Sequence, residues 1–176
     1  MSAHFRPLML LALVAVTAAA VGTAVAPAES VNLAAKRITP AGVGGVKVGR
    51  HYTTLRRLHL VGKIRRGCEL GGPRTRSAAL RRPLKGSVNF TLNSPRRVTD
   101  ITVTGGATAR GVGIGGTTAQ IKAAYPKAKV DHGTDKTFGV TLVRVPKDGG
   151  GKLSFAVDTK TKKVTVIGIP SIAFCE

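Results

Sequence analysis

A recurrence sets the frame of this chain. Gly45-Val46-x-Val48-Gly49 returns 66 positions later as Gly111-Val112-x-Ile114-Gly115. At the same offset Leu55 meets Ile121, and Val98, Ile101 and Val103 meet Val164, Ile167 and Ile169. A turn, a helix position and a strand that share one offset predict two tandem repeats, residues 41–106 and 107–176. Each would be a short helix followed by an antiparallel meander, an α+β plan within one globular domain.

The second repeat is the clearer to read. Thr117-Thr118-Ala119-Gln120 is a capping box, in which a hydroxyl takes the backbone N–H three residues on and the Gln side chain reaches back. Ile121, Ala124 and Tyr125 then share one helical face, and Pro126 ends the helix. Alternation at Phe138, Val140 and Leu142, then at Leu153, Phe155 and Val157, predicts two strands with one buried face. Val164 and Val166 followed by Ile167 and Ile169 predict a third strand with a phase slip. In the first repeat a helix is expected over 53–61 with Leu55 and Leu58 inward, then a strand over 64–70. Val88, Phe90 and Leu92 alternate, and Ile101 and Val103 follow in another strand. The Arg-, Pro- and Gly-rich residues 71–86 read as a loop.

The leader speaks about location. Arg6 precedes an apolar run over 8–20, and Ala24-Val25-Ala26 and Ala26-Pro27-Ala28 are small-x-small ends. That layout predicts a secretory signal peptide over 1–28, cleaved after Ala28, with a retained membrane anchor as the alternative. Residues 29–40 would be a flexible lead-in. An exported chain with an even number of cysteines predicts a disulfide between its two, Cys68 and Cys175. Closing a loop of about 100 residues stabilises by roughly 4–5 kcal/mol in the chain-entropy picture.

Charge is the functional clue. The chain carries 28 Lys and Arg against 8 Asp and Glu, a formal +20. The excess is uneven: 14 cations face two acids over 41–106, whereas 11 face five over 107–176. Such a surface draws polyanions. The candidate anion-binding residues are Arg74, Arg76, Arg81, Arg82, Lys85, Arg96 and Arg97, with Arg65 and Arg66 near them in sequence. Arg forks take phosphate or carboxylate bidentately. An anionic envelope polymer, anionic lipid or an acidic protein suits an exported chain, and the lack of interleaved aromatics disfavours nucleic acid. A plain solvated loop is the competing reading.

Enzymatic motifs are weak. Gly111-x-Gly113-x-x-Gly116 fits a dinucleotide expression, but tight turns between the strands that follow build no parallel sheet. His51, His59 and His132 form no metal-ligand spacing. No Gly-x-Ser-x-Gly elbow is present. No catalytic residue, metal ligand or cofactor is assigned. A secreted hydrolase with an unrecognised site is the alternative to a binding module.

With Gly45-Val46-Lys47-Val48-Gly49, the 108–118 turn, Gly67-Cys68-Glu69 and the terminal Cys175-Glu176, the chain resembles a group of secreted bacterial repeat proteins. Their plan is similar to the tandem modules of β-lactamase inhibitor protein and of small outer-membrane-assembly lipoproteins. The resemblance implies a binding or scaffold module. Inhibitor modules of that shape present aromatic side chains on a concave sheet. Here only Tyr52, Tyr125, Phe90, Phe138, Phe155 and Phe174 follow the leader, which argues against lactamase inhibition. No Cys closes the leader, which argues against the lipoprotein role.

Overall fold

The computed structural model describes residues 37–67, 75–148 and 151–174. Strands come first: β1 (Ile38–Thr39), β2 (Gly42–Val43) and β3 (Val46–Lys47) form a small antiparallel sheet. Helix α1 (Tyr52–Arg57) follows, then β4 (Arg65–Arg66), β5 (Arg76–Ala79), β6 (Lys85–Phe90) and β7 (Val98–Gly105). Next are α2 (Thr118–Ala124), β8 (Lys129–Asp131), α3 (Asp135–Phe138), β9 (Val140–Asp148), β10 (Gly151–Asp158) and β11 (Val164–Ile169). The eight later strands make one antiparallel sheet in the order β4-β5-β6-β7-β11-β10-β9-β8. Among the described residues the fold is therefore mixed but mostly β, with three helices. No described helix is long and apolar enough to cross a membrane.

Strand alternation makes the core. Val88 faces Ile101, and Ile101 faces Ile169 on β11. Val103 faces Ile167, which faces Phe155, which faces Val143. These residues are fully buried and share one cluster with Leu55 of α1 and Ile121 of α2, so both helices cover this face. The capping box of α2 is present: Thr117 Oγ1 accepts from the Gln120 N–H, and Gln120 Oε1 accepts from the Thr117 N–H.

Neighbouring positions in the strands face the other way. Asn89 lies opposite Asp100, and Thr102 opposite Gly168, which lies opposite Ser154. Over the β11 side of this outer face the chain folds back on itself. Ser154 Oγ donates to Pro170 O at 3.4 Å, and Phe174 stacks on Phe138 at 4.5 Å between ring centres. Ile172 and Phe174 are half-buried while Ser171 and Ala173 are exposed, the alternation of an extended strap lying on a surface. Ala156 and Leu142 are buried yet stand outside the main core cluster, on the strap's side of the sheet.

Several expectations are corrected. Helix α1 stops at Arg57, because His59 adopts a positive φ of 55° and turns the chain away. Leu58 is consequently 51% exposed, not inward. Residues 71–86 are not all loop: β5 lies within them, and β6 starts at Lys85. Phe138 ends α3 and does not open β9. Residues 37–40 of the expected lead-in join the fold, with the Ile38 N–H donating to Thr108 O and its side chain buried. The phase slip at Val166 coincides with a register shift between Ala156 and Val157 on the partner strand. The leader, Cys68 and Cys175 lie outside the described residues.

Candidate basic cleft at the β4 edge

The structure divides the sequence-predicted cations. Arg74 lies outside the described residues. Arg81 and Arg82 occupy the turn between β5 and β6, and Lys85 opens β6 opposite Gly105. Arg96 and Arg97 sit in the connection after β6, at that strand's far end, about 20 Å away along the rise of a strand. Arg76 pairs with Phe90 across the ladder and donates through Nη1 to Thr75 O. The candidate residues therefore form two groups and not one patch.

Arg96 and Arg97 serve the fold. Arg97 Nη1 donates to Gly49 O at 3.2 Å, and Arg96 O accepts from the Tyr52 N–H at the start of α1. Arg96 lines a small hollow of about 110 Å³ with His51, Tyr52, Thr53, Ser94 and Pro95. Its Nε is buried with no hydrogen-bond partner.

Arg81 belongs to a larger feature. A cleft of about 390 Å³ is lined by Arg56, Gly62, Lys63, Arg65, Ala79, Leu80 and Arg81. Its geometry follows from how the chain leaves α1. After His59 the backbone runs beside β5: the Arg81 N–H donates to Leu60 O, Val61 bridges Leu80, and the Gly62 N–H donates to Ala79 O. Pairing resumes with Arg65 opposite Ser77. Two residues, Lys63 and Ile64, thus oppose Ala78 alone, and that is a β-bulge. A bulge leaves backbone groups unpaired, and Tyr52 takes them up. Its hydroxyl accepts from the Ile64 N–H at 3.2 Å and sits 3.5 Å from Gly62 O as donor. The ring is held edge-on against Phe90, with 5.3 Å between centres. Arg56 Nη1 donates to Val61 O at 3.1 Å, which aims the guanidinium over the cleft's backbone.

Four cationic residues line it, and no carboxylate is among its described lining residues. Sequence reasoning named Arg65 and Arg81 but missed Arg56 and Lys63. One sits on a helix and the other on a bulge, and no periodicity joins them. The described acids lie elsewhere. Asp100 accepts from Asn89 Nδ2 at 2.7 Å and from Thr99 Oγ1 at 2.9 Å. Asp131 pairs with Arg144 at 2.7 Å, and Asp135 with His132 at 2.8 Å. Asp158 accepts from the backbone N–H groups of Lys160 and Thr161.

Two of these acids make acid stability measurable. The hydrogen bond from His132 holds the Asp135 carboxyl below the usual carboxylate range. The Thr161 backbone N–H does the same for Asp158. A depressed folded pKa means that the unfolded chain binds more protons near pH 4, so stability rises with pH through that window. The contribution is complete above about pH 5 and disappears as pH falls below about 4. Asp158→Asn is expected to flatten the melting temperature of the protein between about pH 3 and 5. An unchanged slope would remove Asp158 from the account.

Comparison with protein-family models, with curated proteins and with solved structures finds no match to this chain.

Proposed function

We propose that this protein is an exported binding module that contacts an anionic polymer or an acidic protein surface through its basic first half, residues 41–106. The observation that carries this reading is the cleft at the β4 bulge, lined by Arg56, Lys63, Arg65 and Arg81 with no carboxylate among its described lining residues. Cations brought together in a concave surface attract counter-charge more strongly than the same number dispersed over a convex one. A secreted hydrolase would need an acid and a base converging on a cleft. Among the described residues, neither this cleft nor the hollow at Arg96 is lined by a carboxylate.

We also propose that the chain is two repeats of one module, residues 41–106 and 107–176. Support comes from details that recur at the 66-residue offset. Gly49 and Gly115 have φ values of 81° and 84°, which favour glycine. The Gly49 N–H donates to Val98 O, as the Gly115 N–H donates to Val164 O, both at 2.8 Å. Val43 pairs with Val46, as Ala109 does with Val112. The strand order is a palindrome about the β7–β11 pair, as expected when each half contributes a four-stranded meander. This plan is similar to the inhibitor and lipoprotein modules named above, in which such sheets serve as binding scaffolds.

The test is binding of the full chain to anionic polymers across a salt series. Affinity should fall steeply with ionic strength, and Arg81→Ala with Arg82→Ala should weaken it about tenfold or more, the effect of losing charge-assisted contacts. Binding that ignores salt, or no binding to any polyanion tried, would end this reading.

A further inference from the structure

We infer that the cleft at the β4 bulge is a discrete site for a ligand with two or more linked phosphate groups, of the pyrophosphate or polyphosphate type. The inference rests on the polyanion reading and narrows it to one place and one chemistry.

Consider the lining. Arg56, Lys63, Arg65 and Arg81 line a cleft of about 390 Å³ together with Gly62, Ala79 and Leu80. Among the described lining residues there is no aromatic ring to stack on a base or a sugar face, and no Asn, Gln, Asp or Glu to read sugar hydroxyls. What remains is recognition of oxygen-rich negative charge by N–H donors. A lone carboxylate has two oxygens and occupies one fork. A phosphoryl group has three acceptor oxygens and about −1.5 to −2 charges at neutral pH. Two linked groups therefore come close to matching four cations, whereas one isolated carboxylate or diester leaves most of them unpaired. Arg56 is already set by its bond to Val61 O and has further N–H groups to offer.

The other half of the chain supplies an internal comparison. Sixty-six positions beyond Arg65 stands Asp131, and beyond Ala78 stands Arg144. These two form an ion pair at 2.7 Å. Beyond Gly62 and Ala79 stand Ala128 and Val145, which add bulk. Strand β8 pairs with β9 in continuous register from Lys129 to Asp131, so the bulge is missing as well. At the equivalent place Lys122, Lys129 and Lys147 keep the positive charge of Arg56, Lys63 and Arg81, but an acid paired with Arg144 replaces Arg65, the side chains are bulkier and the backbone is regular. The bulge and the Arg65 cation are thus what set the first half apart among the described residues.

Soluble tripolyphosphate, titrated calorimetrically into the full chain, is the first probe. The second is phosphatidylcholine vesicles carrying a few per cent of a lipid with a pyrophosphate headgroup, scored by co-sedimentation. Saturable one-to-one binding in either arm supports the site, and the arm that responds identifies a free or a lipid-borne source. Arg65→Gln should weaken it about tenfold, and Arg65→Asp further, because the latter places a carboxylate among the remaining cations. Arg97→Gln, at the far end of β6, should leave it unchanged. Equal losses from Arg65→Gln and Arg97→Gln would overturn the site. Salt-dependent binding of long polyanions without saturable tripolyphosphate or vesicle binding would overturn it too, while sparing the broader reading. Absence of both overturns the two together.

Discussion

Phe155→Ala is expected to destabilise the protein by about 3–5 kcal/mol, the usual cost of emptying a large buried aromatic site. Phe155 is fully buried at the centre of β10. It is flanked across the ladder by Ile167 and Val143, and Tyr125 lies 6.0 Å away between ring centres. The chain has few aromatics with which to build a core, so its buried side chains are mostly Val, Ile and Leu. Branched neighbours on a sheet cannot swing into a vacated ring site without leaving their rotamers, and the cavity stays largely open. A domain of this size has about 5–15 kcal/mol in total, so the variant should melt roughly 10–20 °C lower. Lys163→Ala, at an exposed position just before β11, should stay within about 0.5 kcal/mol. Urea unfolding of both variants decides the matter. A loss below about 1 kcal/mol at Phe155 would mean that β10 is not the centre of the core.

The same strand shows why part of this fold can be read from residues alone. Leu153, Phe155 and Val157 alternate without interruption, and all three are buried. Hydrophobic alternation is a direct imprint of the sheet's inner face, and Thr117 with Gln120 is an equally local imprint of a helix start. Strand β5 left no such imprint. Its residues are Arg76, Ser77, Ala78 and Ala79, and only the small Ala78 is buried. It is a strand because β6 offers it a ladder, a tertiary cause that propensity does not register. Leu142 misleads in the opposite sense: its burial belongs to the strap side of the sheet and not to the helix-covered core. The cleft was half legible. Charge excess pointed to the first half and to Arg65 and Arg81. The placing of Arg56 and Lys63 depends on a bulge and on the hydroxyl of Tyr52, which lies 10 residues before Gly62 and 12 before Ile64. Nothing in the charge pattern separates Arg81 from Arg97; the ladder puts them at opposite ends of β6.

Gly168→Val is expected to cost about 2–3 kcal/mol and to release residues 170–174 from the sheet while the sheet itself persists. Gly168 faces outward between the buried Ile167 and Ile169, and its φ is not in the left-handed region, so the argument is purely one of space. A Cβ there would collide with the Ser171 carbonyl oxygen and with the Ile172 side chain. The strap could only rise. Rising, it would uncover Ala156 and Leu142 and break the stacking of Phe174 on Phe138. The released segment should be cut by a protease that spares the parent protein, because cleavage follows local opening. A double-mutant cycle with Phe174→Ala separates this from ordinary strain in β11. If both substitutions act by lifting one strap, their joint cost falls well short of the sum of the two. Additive costs, or a tail as resistant to proteolysis as in the parent, would mean that Gly168 is needed by the strand itself and that the strap packs independently of it.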